Sequence, residues 1–279
     1  MFGYSKQAYY KAQTQHYAVT DKQQHAKTIV LGLRRQMPRL GTRKLHYLLK
    51  NELDIGRDKL FDLLRAEGLL VSKRRRYTVT TKSKHWMRKY PNLIRDVELV
   101  RPEQVWVADI TYIDTNEDGH GYLHLVTDAY SKRIMGYELC DNMEAASTLK
   151  ALQMAVTNRK YNAQALIHHS DRGLQYCSKL YTDYLKDNNI TISMTENSDP
   201  YENAIAERVN GILKDEFGLA DQLNNINDAI HYTDQCINIY NNKRPHLSCS
   251  MLTPDQMHQQ KEIKLRSYKK KAQTSFVNV

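Results

Sequence analysis

Three acidic residues stand where carboxylates could act together. Asp109 falls inside the alternating run "VWVADITYI" (105–113), Asp171 ends the apolar run of "ALIHHSDRGLQY" (165–176), and Glu207 lies in "NAIAERVNGILKDE" (203–216), with 35 residues between it and Asp171. Taken singly, none demands chemistry. Asp and Gly in "SDRG" are ordinary turn formers, and Glu207 with Lys214 would pass for a solvated helix face. Taken together they raise a physical difficulty. A mid-strand aspartate among apolar neighbours is costly to bury without a partner. Two carboxylates brought together repel, so one protonates unless a cation lies between them. A hard divalent ion with oxygen ligands answers both points. Lys214 lies two helical turns beyond Glu207, with Asn203 at i−4 and Asn210 at i+3 of Glu207 on the same stripe. That stripe could meet a phosphate beside the metal. His168 and His169 are expected as strand-end neighbours of the site rather than ligands.

Charge indicates what the phosphate belongs to. The net charge of +10 is concentrated early: residues 1–100 hold 22 Lys and Arg against eight Asp and Glu. A segregated positive segment points to a polyanion, with nucleic acid the first candidate. Within it, 22–36, 42–53 and 57–68 carry helical spacing, with Ile29, Val30, Leu33, Leu45, Leu48, Leu49, Leu60, Phe61 and Leu64 inward. Pro38, Gly41 and the break Asp54-Ile55-Gly56 separate them. A supporting helix and then two short ones around a tight break fit a helix-turn-helix unit. Residues 1–72 are therefore expected to be a DNA-binding region. Arg43, Lys44, Arg57 and Lys59 are candidate contacts, as are Arg74, Arg75 and Arg76 of the basic linker expected at 73–101, which would track phosphate rather than bases.

From Val105 the period changes. Strands are expected at 105–113, 121–127, 133–140, 164–170 and 190–194, with helices at 144–159, 178–188, from Asn203, and at 226–241. Three strands, then alternating helices and strands, is the order of an α/β ribonuclease-H-like domain: a mixed five-stranded sheet flanked by helices, here assigned to 102–258. A basic tail, 259–279, follows. Cys140, Cys177, Cys236 and Cys249 are far apart and read as free thiols of a reducing compartment. No run is long and apolar enough for a membrane span and the start lacks a signal peptide, so a cytoplasmic, nucleoid-associated protein is expected.

"WVADITYI", "HHSDRGLQY" and "NAIAERVNGILKDE" followed by "YNNKRPH" resemble the catalytic core shared by retroviral-type integrases and DDE transposases. The likeness is strongest to the second-frame protein (OrfB) of bacterial insertion sequences with two overlapping reading frames, and it runs over about 20–258. A His-His-Cys-Cys zinc module, as in a retroviral integrase proper, is not seen. The resemblance implies a transposase that cleaves DNA and then transfers the freed 3′-OH to another strand. It implies two Mg²⁺ ions, with Mn²⁺ also acceptable; Asp109 would bridge both, with Asp171 and Glu207 each favouring one. Lys214, Asn203, Asn210 and Arg244 of "KRPH" become candidate DNA contacts. An assembly of at least two subunits on two element ends is implied, with a first-frame partner (OrfA), separate or fused by frameshifting. A nuclease of the same fold that does not join, and a non-catalytic DNA-binding regulator, are the competing readings.

Overall fold

The computed structural model describes residues 5–72, 86–196, 203–221, 223–260, 263 and 265. Its helical segment comprises α1 (Lys6–Arg34), α2 (Thr42–Leu49) and α3 (Arg57–Ala66). The first helix begins sixteen residues earlier than its apolar period indicates. Its leading turns are exposed on every side, and half of their residues are Lys, Gln and Ala, which favour helix without marking a face. Ser5 caps it by accepting from the Ala8 amide at 3.2 Å. Leu40, Leu45, Leu60 and Leu64 close the core of the three-helix unit, which runs without interruption into the side chains beneath the sheet.

The sheet contains β1 (Val105–Thr115), β2 (Gly119–Asp128), β3 (Ile134–Cys140), β4 (Leu166–Ser170) and β5 (Ile190–Met194), in the order β3-β2-β1-β4-β5. β1–β2 and β2–β3 are antiparallel, whereas β1–β4 and β4–β5 are parallel. This is the mixed topology expected of a ribonuclease-H-like domain. α4 (Ala145–Thr157), α5 (Leu174–Cys177) and α6 (Lys179–Asp187) cover one face, packing on Trp106, Ala108 and Val126. α7 (Ala204–Glu216) and α8 (Ile226–Asn242) cover the other, where Ala206 meets Val105 and Val107. The two faces of β1 thus divide as its alternation indicates. Because both are covered, the pattern is largely apolar on each side.

Pairing between β1 and β4 ends early. The last partners are Val107 and His169, while β1 continues to Thr115 along β2. The sheet therefore opens into a notch at the carboxyl end of β4, the position where ligands of open α/β sheets collect.

Two outer segments are tied down. Residues 86–100, expected as linker, form no helix or strand but lie along β5: Met194 N–H donates to Pro91 O at 3.2 Å and Leu93 N–H to Ser193 Oγ at 2.9 Å. They cover what would be a bare sheet edge. After α8, the short helix α9 (Pro254–His258) is locked by Glu103, which is fully buried. Glu103 accepts from the Lys160 and Tyr161 amides at 2.7 and 2.9 Å and faces His258 Nε2 at 3.1 Å. Burial opposes charge on His258, but Asp128 and Glu103 together raise its pKa.

Gly136 on β3 is required by space. A Cβ there would stand 2.1 Å from Ala151 O and 2.5 Å from Ala155 N of α4. Gly136→Ala is expected to lower stability by roughly 1–3 kcal/mol or more, as overpacking against backbone does. Urea unfolding followed by circular dichroism checks this; an unchanged midpoint would refute the close packing of α4 on β3.

Candidate active site

Asp109 lies two residues beyond the last β1–β4 pair, and Asp171 is the first residue after β4. Both therefore sit at the notch. Asp109 Oδ1 accepts from its neighbour's amide, Ile110 N–H, at 2.9 Å, and Oδ2 from Asn210 Nδ2 at 2.8 Å. Burial of the carboxyl, reinforced by the nearby charge of Asp171 and to a smaller degree Glu207, pushes its pKa up to about 7 against those two hydrogen bonds. Asp171 Oδ1 accepts the Gly173 amide at 2.9 Å, which closes a tight turn into α5. Gly173 has an ordinary φ of −63°; a Cβ there would stand 3.0 Å from Asp171 Oδ1, so a side chain would press on that carboxylate.

Glu207 occupies the first turn of α7 and is exposed. Among the described residues no group of three or more His, Cys, Asp and Glu side chains stands close enough to hold a metal. The three acids share one electrostatic neighbourhood without being drawn in to ligand distance.

The remaining residues of the α7 stripe bind β1. Asn203 Nδ2 donates to Ala108 O at 3.2 Å and Lys214 Nζ to Tyr112 O at 2.8 Å, beside the Asn210–Asp109 bond. Beyond Val107, β1 has no β4 partner, so these side chains satisfy a strand edge that would otherwise lack donors. Burial lowers the pKa of Lys214. Asn203, Asn210 and Lys214, expected as DNA contacts, here fasten to β1 the helix that carries Glu207.

Two other candidate DNA contacts are also turned inward. Arg244 is 1% exposed and holds Glu216 through two bonds of 2.8 Å; Lys44 is 9% exposed and reaches the same carboxylate at 3.1 and 3.3 Å. Burial works against the Glu216 charge, yet Arg244 and Lys44 bring its pKa down to about 2. Arg244 and Lys44 thus form a buried ion cluster joining α2, α7 and the turn after α8, a role that their charge alone does not disclose. Arg43, Arg57 and Lys59 are exposed, as expected for ligand contacts. Arg74, Arg75 and Arg76 lie outside the described residues.

Both histidines before Asp171 point into the core. His168 Nε2 pairs with the Tyr181 hydroxyl at 2.9 Å and His169 Nδ1 with Ser193 Oγ at 2.8 Å. Burial, with the neighbouring His169, lowers His168 to a pKa of about 3, so it stays neutral.

Two integrase core domain families match residues 100–200 and 188–254, spanning the sheet, the notch and α7. An insertion element IS600 uncharacterized 31 kDa protein of Shigella sonnei is 34% identical over 261 residues, covering 91% of this chain and 94% of that protein. The transposase InsF for insertion sequence IS3fB of Escherichia coli is 32% identical over 201 residues, covering 71% and 68%. Among solved structures, an HTLV-2 integrase catalytic core domain in complex with magnesium covers 57% of this chain and 98% of its own, with 19% identity and a TM-score of 0.45. The chain belongs to the insertion-sequence transposases that carry an integrase core, within the DDE transposase/integrase superfamily. Its function is the transposition of an insertion sequence. Among the described residues no helix is long and apolar enough to cross a membrane.

The raised pKa of Asp109 has a definite sign. Below about pH 4 the carboxyl is protonated folded and unfolded; between about 4 and 7 only the unfolded chain releases the proton. The metal-free protein therefore loses stability across that window and holds the deficit above it. Asp109→Asn is expected to melt with wild type near pH 4 and a few degrees above it at pH 8, in chelator. A variant less stable than wild type at pH 8 would show that the charge is not a burden.

Proposed function

We propose that this chain cleaves a DNA strand at an insertion-sequence end and joins the freed 3′-OH to a target strand, using a divalent metal held by Asp109, Asp171 and Glu207. The observation that carries this reading is the Asp109 carboxyl at the open end of β4, pushed up to about 7 by burial and by the charges of Asp171 and Glu207. Such a carboxylate needs either a proton or a cation, and an all-oxygen donor set suits Mg²⁺, with Mn²⁺ tolerated. Two ions are in keeping with the reaction: when bound, they polarise the phosphate and stabilise the attacking and leaving oxygens.

The chain's own residues set the geometry. Asn210 and the Ile110 amide hold Asp109 in one orientation, leaving its remaining lone pairs toward the notch. The Gly173 amide does the same for Asp171. Asn203 and Lys214 keep α7 seated on β1, so that Glu207, solvent-facing in the first turn, is presented at the same opening. Tyr176 is buried, with its hydroxyl pushed far above its ordinary pKa, and no covalent enzyme intermediate is needed.

In this reading residues 1–72 bind DNA, 73–101 lead to a catalytic core at 102–258, and 259–279 form a basic tail. Two element ends call for a homodimer or higher oligomer. A first-frame OrfA partner, separate or fused, would supply end recognition, and the protein would work in the cytoplasm at the nucleoid.

Strand joining tests the proposal: purified protein, labelled element-end DNA with a free 3′-OH, target DNA and Mg²⁺. Asp171→Asn is expected to lose joined product by at least about a hundredfold, and Asn210→Ala, which frees Asp109 to turn, by about 10- to 100-fold. Full joining by Asp171→Asn would end the assignment. Cutting without joining, unrelieved by added OrfA, would favour the nuclease reading.

A further inference from the structure

A groove of about 840 Å³ separates the amino end of α2 from α7. Thr42, Arg43 and Lys44 line one wall; Arg208, Asp215 and Glu216 line the other. Three features mark it as an anion seat. Its cations outnumber its acids, and Glu216 is already engaged by Lys44 and Arg244, while Arg43 and Arg208 are exposed and pair with no carboxylate among the described residues. The surplus is felt by Lys44, whose pKa falls to about 8 through burial and the nearby Arg244 and Arg208.

Next, α2 begins bare. Its cap residue, Gly41, offers no side-chain bond, and a Cβ there would meet nothing within 4 Å. Lys44 and Leu45 donate to Gly41 O, whereas the Thr42 and Arg43 amides have no backbone partner among the described residues. Such a terminus attracts an anion.

The independent observation is Thr42 itself. Thr42 is 5% exposed and lines the groove, and its side chain makes no hydrogen bond among the described residues; its oxygen is not one of the enclosed unpartnered atoms, so it is reached from outside the core.

We propose that this groove seats a backbone phosphodiester of DNA, held by the Thr42 hydroxyl, the free Thr42 and Arg43 amides, and the Arg43 and Arg208 guanidiniums. The inference rests on the DNA-joining reading and adds a place to it. Arg208 follows Glu207 on α7, so a phosphate here registers DNA on the helical segment directly against the helix carrying the third acid. A terminus crossing the sugar–phosphate backbone also suits the first helix of a helix-turn-helix pair.

The test is equilibrium binding of fluorescent element-end duplex by the full chain, without metal, across a salt series. Each phosphate contact contributes a slope of about 0.9 in log affinity against log salt. Arg43→Gln and Arg208→Gln are each expected to flatten the slope by about that amount. Lys150→Gln, exposed and paired with Glu138 on β3, leaves it unchanged. Thr42→Val is expected to cost about fivefold in affinity with no loss in melting temperature, because the hydroxyl has no partner inside the protein. A structural role for Thr42 would reverse that pattern. Groove variants whose slopes match Lys150→Gln, or a Thr42→Val chain that binds like wild type, overturn the proposal. So does a seat for a small anion only, shown by inorganic phosphate stabilising wild type but not Arg208→Gln while both keep the same DNA slope. Binding is read without catalysis, so loss of joining in Asp171→Asn alongside unchanged groove slopes would sink this inference and leave the reaction standing.

Discussion

Like charges crowded at the end of β4 set the demand that the rest of this fold answers. Burial lifts the pKa of Asp109 to about 7, with the charge of Asp171 and, to a smaller degree, Glu207 adding to it. The chain offers partial compensation: the Ile110 and Gly173 amides and the Asn210 amide group each give a hydrogen bond to a carboxylate. A buried carboxyl compensated in this way is held between its protonated and charged forms near neutral pH.

Helix α7 carries Glu207, and it is fastened at both ends. Along its length Asn203, Asn210 and Lys214 grip β1 where β4 has stopped pairing. At its carboxyl end Glu216 is gripped by Arg244 and Lys44, and its backbone carbonyl accepts the Arg39 amide at 3.0 Å. A buried ion cluster of this kind is poor evidence for stability, because desolvation offsets most of its attraction. What it does provide is register. Only one seating of the helical segment on α7 brings two cations to one carboxylate.

Much of this was legible beforehand, for identifiable reasons. The period-two run at 105–113 gave β1 its two faces, and the alternation of strands and helices gave the topology. The acids stood out because a carboxylate in mid-strand violates the local pattern. The inward turn of Lys44 and Arg244 was hidden, since lysine and arginine read as surface, and Lys44 meets its partner 172 residues away. The stripe Asn203-Glu207-Asn210-Lys214 was visible as a face, but what that face touches depends on where β4 ends. Residues 86–100 read as linker because backbone bonds to an edge strand require no side-chain period. α5 went unseen because four residues are too few to show one.

The three acids are consequently positioned by different means. Asp109 and Asp171 are set by backbone: one by β1, the other by a turn closed by the Gly173 amide on its carboxylate. Glu207 has no such anchor. Its place follows from how α7 lies on the sheet, through Ala206 against Val105 and Val107 and through the amides on either side of it. The separation between the strand acids and the helix acid is therefore a packing distance, adjustable by whatever moves α7. The element best placed to move it is the helical segment bound to its far end. The helical segment and the acids of the notch are in this way connected through a single helix, with Glu216 at one end and Glu207 at the other.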